Sequence, residues 1–425
     1  MDGAERPFPT VEIVATGDEL RLGEVVDTNS AFAARSLAAG GVEVSRVTVV
    51  GDSRSEIACA IREARARADV VLVTGGLGPT LGDLTREALA DALGVEVETR
   101  PEALGEIERW LRRPLSELDR RQALAPRGAE MIPNRWGSAP GLKVRAGART
   151  VYALPGVPHE MRGMFETSVL GEILSMRRSS SIATCHLVTH GLPESQVVAR
   201  LSHLRTGDVA LGTRARAGTI TVRFLARAAT REEAERRADS AADSAAKLLG
   251  EFVAGRGDRD MAELVAEELL SRGLRVAVAE SCTGGLVAAR LVGVSGISRV
   301  LVEAIVAYSN ESKTNRLGVS AGLIAEKGAV SAEVARAMAE GARVRAGADI
   351  AVAVTGVAGP QGGTEAKPVG LVYLATASAL GTEAAEHRFR GERDAIRERA
   401  AEEALWSLLR EARRFASRPA GTRSA

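Results

Sequence analysis

Three times along this chain a short apolar run ends in threonine and glycine. The runs are Val70-Val-Leu-Val before Thr74-Gly-Gly76, Val276-Ala-Val-Ala before Glu280-Ser-Cys-Thr-Gly-Gly285, and Ile350-Ala-Val-Ala-Val before Thr355-Gly356. Short continuous apolar runs bounded by glycine and alternating with helical patterns read as strands buried on both faces, as in a parallel sheet covered by helices. Ligands bind such sheets at the carboxyl ends of the strands, where glycine lets the backbone approach a phosphate or polar group. A tight turn with no ligand explains any single one. Two such turns within residues 258–416 point to a binding cleft there. None is a Walker A loop or a G-x-G-x-x-G fingerprint, which leaves a nucleoside-triphosphate motor or a dehydrogenase without support.

A length of 425 residues corresponds to two or three domains. Around the first run the pattern gives a strand over 9–15, a helix over 29–39 capped by Thr28 or Asn29, a β-rich stretch over 42–50, a helix over 55–68, the strand 69–74 and a helix over 83–93. More β follows at 150–154, then a short helix from His159. Residues 184–253 read as strand, helix, strand, strand, helix, strand. The charge run on the helix at 230–249 reads as a solvated face. A second α/β unit begins with a helix over 261–272 and closes with one over 394–416. The expected fold class is α/β, with two three-layer α/β domains joined by a small α+β domain. The expected boundaries are 1–175, 176–257 and 258–416, with 417–425 a disordered tail.

Lys and Arg total 56 against 55 Asp and Glu, and aromatics make up 3%. A protein held on nucleic acid by charge or by stacking platforms is therefore not expected. Cys59, Cys185 and Cys282 lie far apart with no C-x-x-C, so neither a disulfide framework nor a zinc ribbon is expected. The first residues lack a basic start and an apolar core, and no run reaches the ~18 apolar residues of a membrane span. A cytoplasmic protein without a membrane partner is expected.

Only five of the 56 basic residues are lysine: Lys143, Lys247, Lys313, Lys327 and Lys367. Each raises the question of why arginine would not serve. Ser281 stands where a strand meets a helix start, either as an N-cap or as a nucleophile. A nucleophilic serine needs a base, and His387 is the only histidine of the C-terminal unit. Lys313 is the better candidate, because a desolvated lysine loses its proton and arginine does not. Lowering a lysine pKa from about 10.4 to about 7 takes roughly 4.6 kcal/mol of environment. Tyr308 is placed to relay the proton. The bland reading of Lys313 is a surface charge after a turn, and that of Cys282 is buried filler. His186 and His190 alternate as on a strand, about 13 Å apart, which disfavours a zinc site. In the N-terminal unit Asp18, Glu19, Asp27 and Asp83 gather near glycine turns, as carboxylates would around a divalent metal and its waters. Alternatively, Asp83 only caps the next helix.

The chain resembles the competence/damage-inducible CinA family over nearly its whole length. The N-terminal part is similar to MoaB/MogA-like molybdopterin-binding domains through Thr16-Gly-Asp-Glu-Leu20, Asp27-Thr-Asn29, Thr74-Gly-Gly-Leu-Gly-Pro-Thr80, Asn134, Gly137-Ser-Ala-Pro-Gly141 and Leu154-Pro-Gly-Val-Pro158 with Glu160-Met161. The middle part resembles the family's KH-like domain. The C-terminal part is similar to the CinA C-terminal domain through Ala279-Glu-Ser-Cys-Thr-Gly-Gly285, Tyr308-Ser-Asn310, Lys313, Gly328-Ala-Val-Ser331, Thr355-Gly-Val-Ala-Gly-Pro360, Lys367-Pro-Val-Gly370, Gly391-Glu-Arg393 and Arg397.

The resemblance implies a nicotinamide mononucleotide (NMN) deamidase that needs no cofactor and releases nicotinate mononucleotide and ammonia, a pyridine-nucleotide salvage step. It implies Ser281 as nucleophile, Tyr308 and Lys313 as its activators, and Thr355 positioning the carboxamide or stabilising the oxyanion. Thr283, Gly284, Gly285 and Gly356 would line the substrate, with Arg393 or Arg397 on the phosphate. It also implies a homodimer acting on small-molecule nucleotides, and an ADP-ribose pyrophosphatase in the N-terminal domain. That second site would draw on Asp18, Glu19, Asn29, Gly75, Gly76, Thr80 and Asp83, with a divalent metal on Asp18 and Asp83. The family pattern Gly-Pro-Thr-x-Asp-Asp departs here, because Gly82 stands where one carboxylate is expected. The deamidase therefore ranks first. The metal-dependent pyrophosphatase and a non-enzymatic pterin- or nucleotide-binding scaffold are the alternatives.

Overall fold

The computed structural model describes residues 9–176 and 181–416, so the tail expected at 417–425 lies outside the described residues. The chain divides into two compact units. One runs to Thr184 and adds Ala226–Arg237; the other comprises Cys185–Leu225 and the chain from Ala238 onward.

In the first unit the strands are β1 (Val11–Thr16), β2 (Val44–Val50), β3 (Val70–Thr74), the short pair β4 (Val97–Thr99) and β5 (Leu124–Pro126), then β6 (Glu130–Ile132), β7 (Gly141–Ala146) and β8 (Arg149–Leu154). The main sheet has the order β2-β1-β3-β8-β7-β6. β2, β1, β3 and β8 are parallel, whereas β7 and β6 run antiparallel at one edge. The sheet is thus mixed, because β7 and β8 are joined by a two-residue turn and no crossover helix intervenes. Alternation splits the core: Val71 and Val73 face one helical layer, Val70 and Leu72 the other.

The small α+β segment has the expected order: β9 (Ser181–His190), helix Glu194–Leu201, β10 (Val209–Arg216), β11 (Thr219–Ala228), helix Arg231–Leu249 and β12 (Val253–Arg256). Its sheet is ordered β10-β11-β9-β12. The charge run on Arg231–Leu249 is a solvated face laced by Arg231–Glu235 and Arg237–Glu233 pairs.

The last sheet contains β13 (Val276–Glu280), β14 (Leu301–Val306), β15 (Ile350–Gly356), β16 (Leu371–Ser378) and β17 (Gly381–Arg388), in the order β14-β13-β15-β16-β17. β14, β13 and β15 are parallel, and the hairpin of β16 and β17 adds an antiparallel edge. Large and small residues alternate along the two central strands. Val276, Val278, Ile350, Val352 and Val354 face the helices Met261–Arg272, Leu286–Val292 and Arg393–Ala416. Ala277, Ala279, Ala351 and Ala353 face Asn310–Leu317, Ala321–Lys327 and Ala332–Ala346. The alanine face admits close helix packing; a Cβ on Gly341 would stand 1.8 Å from the Leu317 carbonyl oxygen. The carboxyl ends of β13 and β15 lie side by side and carry Ser281 and Thr355. No described helix is long and apolar enough to cross a membrane.

Candidate functional site

Ser281 leaves β13 with its N–H donated to the Val354 carbonyl, 2.9 Å away, so the adjacent strand fixes the turn. It does not cap the following helix. The N-cap of Leu286–Val292 is Gly285, in the left-handed conformation (φ 93°). The helix start is instead held by Glu280, which is buried. Its carboxylate accepts the N–H groups of Gly285 (3.0 Å), Val287 (3.1 Å) and Ala288 (2.9 Å). An anion already occupies this helix N-terminus, where the macrodipole favours one.

Lys313 is 1% exposed, on the first turn of the helix Asn310–Leu317, which Ser309 caps. Its Nζ lies 3.1 Å from Ser281 Oγ, 2.9 Å from the Ala307 carbonyl and 3.2 Å from the Tyr308 carbonyl. Burial pushes its pKa below the usual lysine value, against an opposing pull from Cys282. Three oxygens thus surround the Lys313 nitrogen, one of them the serine hydroxyl, at hydrogen-bond distance. Cys282 is buried, and its thiol is pushed up to about 12, chiefly by burial. A buried thiol held in its protonated form is a weak nucleophile.

Two further expected site residues have their hydroxyls engaged outside the serine–lysine pair. The Tyr308 side chain is 60% exposed, and its hydroxyl accepts from Arg393 at 3.1 Å. Only its backbone carbonyl meets Lys313, so a proton relay through the hydroxyl is not built into this geometry. The Thr355 hydroxyl donates to the Ala329 carbonyl at 2.8 Å, which leaves its oxygen lone pairs to accept, as positioning a carboxamide would use, but commits its proton away from an oxyanion. Gly356 ends β15, where a Cβ would stand 2.7 Å from the Leu371 carbonyl oxygen. Thr283 is fully buried, with no hydrogen-bond partner for its hydroxyl. The Gly284 N–H turns back to the Ser281 carbonyl at 3.1 Å.

Both candidate arginines reach this region. Arg393 donates to the Gly359 carbonyl (2.6 Å) and to Tyr308, and Arg397 donates to the Thr283 carbonyl (3.1 Å) while pairing with Asp394. His387, the rejected base, is paired at 4.0 Å with Glu403.

In the N-terminal unit a cleft of about 600 Å3 opens at the carboxyl ends of β1 and β3. Glu19, Asp27, Asn29, Gly75, Gly76, Thr80 and Asp83 line it. Gly75 and Gly76 have positive φ (103° and 65°), and a Cβ on either would clash with Thr16 or Thr85. Arg86, fully buried, donates to the Leu77 carbonyl and holds this loop from behind. Asp83 is not a helix cap. It accepts from the Gly78 N–H and from both Thr80 donors, closing the loop on itself. The helix Thr28–Ala39 is capped by Asp27, not by Thr28 or Asn29. Asn29 donates to the Gly156 carbonyl at 2.7 Å, and its Oδ1 is buried without a partner.

Asp18 pairs with Arg21 at 3.0 Å, and its N–H reaches Asp52. Among the described residues no group of three or more His, Cys, Asp or Glu side chains is arranged to hold a metal ion. With Asp18 and Asp83 engaged elsewhere, the carboxylates as placed do not fit a preformed metal centre. The described residues also form no zinc site around His186 and His190.

Fold and site together define a class: a chain with two three-layer α/β sheets and a small α+β segment, carrying a buried serine–lysine pair at one sheet end. Family models agree segment by segment. Residues 12–175 match the "Probable molybdopterin binding domain", 185–255 the "Damage-inducible protein CinA KH domain", and 258–412 the "CinA C-terminal domain". A CinA-like protein of Anaeromyxobacter dehalogenans is 45% identical over 94% of this chain and 98% of its own length. One from Geobacter sulfurreducens is 42% identical over 91% and 95%. A solved competence/damage-inducible protein from Agrobacterium tumefaciens is 41% identical over 36% of this chain and 96% of its own, with a TM-score of 0.35. The chain belongs to the CinA-like protein family.

The serine, the lysine and the arginines are legible in the sequence; the role of Glu280 is not. The available signal was an acid immediately before the serine and five residues ahead of a glycine N-cap.

Proposed function

We propose that the C-terminal site hydrolyses the carboxamide of NMN to nicotinate mononucleotide and ammonia. The observation that carries this reading is the buried Lys313 nitrogen, 3.1 Å from Ser281 Oγ and within 3.2 Å of the Ala307 and Tyr308 carbonyls. The neutral amine takes the serine proton as Oγ bonds to the carboxamide carbon. The lysine ammonium then returns that proton to the departing nitrogen, releasing ammonia and leaving an acyl ester on Ser281. Water adds to the ester, passes a proton through Lys313 to Ser281 Oγ, and frees the carboxylate. Arg393 and Arg397, on the first two turns of the last helix, hold the 5′-phosphate. The anion-binding role does not fall to the helix after Ser281, because Glu280 occupies it.

The test incubates the chain with NMN and EDTA and follows ammonia and nicotinate mononucleotide, with Ser281→Ala and Lys313→Arg alongside. Turnover abolished in both variants supports the dyad. A wild type that releases no ammonia sinks the reading.

A second reading concerns the N-terminal cleft, where the unpartnered acceptor of Asn29 favours a ligand with a hydrogen-bond donor, such as a nucleotide or pterin. We infer binding there and derive no metal-dependent cleavage. A homodimer in the cytoplasm is part of the same proposal.

A further inference from the structure

The α+β segment and the catalytic segment share a buried polar seam within one compact unit. Glu402, on the helix Arg393–Ala416, is 5% exposed. It accepts from Arg290, on the helix that follows the Ser281 turn, and from the Thr219 hydroxyl at the start of β11. Beside it His190, at the end of β9, lies 2.9 Å from Thr219 Oγ1 through Nδ1 and 3.0 Å from Glu403 through Nε2. The His190 ring also packs 5.5 Å from the ring of Trp406.

This seam bears on the site because of what its two helices carry. Arg393 and Arg397 lie five to nine residues before Glu402 on one continuous helix, which transmits a shift at 402 as a rigid rod. Arg290 lies on the helix that begins at Gly285, directly after the nucleophile turn. The two helices are pinned twice: by Arg397 on the Thr283 carbonyl at the site, and by Arg290 on Glu402 further along. Thr219 completes the second pin. Removing its hydroxyl leaves a buried carboxylate oxygen and a buried imidazole nitrogen each short of a partner, which a buried network tolerates poorly.

We propose that Thr219 and His190, from the α+β segment, are positioning residues for the deamidase site: acting through Glu402 and Glu403, they set where Arg393 and Arg397 meet the substrate phosphate. The inference rests on the deamidase reading for its substrate. It predicts that the phosphate grip changes while the dyad does not, so binding weakens and the chemical step is spared.

The experiment uses the full chain. NMN binding is measured by calorimetry in Ser281→Ala with and without Thr219→Val. Steady-state turnover is measured in wild type, Thr219→Val and Thr219→Ser. The expected result is a Kd and KM raised about two- to tenfold in Thr219→Val, kcat held within about twofold, and recovery in Thr219→Ser. An unchanged Kd and KM in a folded Thr219→Val overturns the inference. So does a fall in kcat matching the loss of thermal stability, without rescue by serine. If the chain binds NMN but does not turn it over, the deamidase reading fails alone and the Kd ratio still decides this one. No NMN binding overturns both.

Discussion

Replacing Lys313 probes whether the amine works as a neutral base. Its Nζ is enclosed by Ser281 Oγ and two carbonyl oxygens within 3.2 Å, and burial lowers its pKa from the ordinary value of 10.5. A general base contributes about 10²- to 10⁴-fold, so Lys313→Ala is expected to lose about 3 to 5 kcal/mol of transition-state stabilisation. Lys313→Arg should do no better, since guanidinium keeps its proton. The pH dependence has a defined sign. Activity needs the deprotonated amine, so kcat/KM rises with pH and levels off above the folded-state pKa, which lies below 10.5. Over the window between those two values the unfolded chain binds a proton that the folded one does not. Stability therefore rises with pH there, by up to about 1.4 kcal/mol per unit, and this slope is absent in Lys313→Met. The assays are a pH–rate profile with saturating and limiting NMN, and urea unfolding at several pH values for wild type and Lys313→Met. A rate limb that survives in Lys313→Arg, or identical pH slopes of stability in both proteins, refutes the neutral-base argument.

Glu280→Gln removes the charge from three N–H bonds and turns an amide nitrogen toward donors; we expect about 2 to 4 kcal/mol of destabilisation by urea unfolding, with kcat reduced. Arg393→Ala and Arg397→Ala should each raise KM for NMN about tenfold or more but leave nicotinamide riboside, which lacks the phosphate, unaffected. Cys282→Ala should keep turnover, and the wild-type thiol, pushed up to about 12, should label slowly with iodoacetamide at neutral pH; rapid labelling that inactivates the enzyme would contradict this. Gly82→Asp is sterically open, since the nearest atom to a Cβ there is Asp52 Oδ2 at 3.8 Å. It should fold normally, and neither it nor the wild type should cleave ADP-ribose with an added divalent metal; cleavage by either would overturn the misfit of the carboxylates to a metal centre.

What could be read from the sequence was what local pattern decides. Val276-Ala-Val-Ala and Ile350-Ala-Val-Ala-Val, each running into glycine, marked the two central strands and their ends. The scarcity of lysine drew attention to Lys313, which is the buried one beside Ser281. The antiparallel edges were not legible. β6 has three residues, and β17 alternates in a pattern of charged and small residues that also suits a loop. Pairing across a hairpin, not a propensity within either segment, makes these strands.

Hydroxyl directions were not legible at all. Tyr308 takes its expected role from its nearness to Lys313 in sequence, and Thr355 from the family resemblance. Where a hydroxyl points depends on a partner distant in sequence: Arg393 for Tyr308 and the Ala329 carbonyl for Thr355. Glu280 illustrates the reverse case. A carboxylate at a strand end reads as a catalytic acid or as nothing. Only the turn through Gly284 and Gly285, both at positive φ, folds the helix start back over it. Once those three N–H groups are occupied, the helix start beside Ser281 is closed to an anion, and in the proposed deamidase phosphate recognition comes from side chains. That requirement gives the two arginines of the last helix their importance, and it makes the position of that helix a matter for every element that grips it.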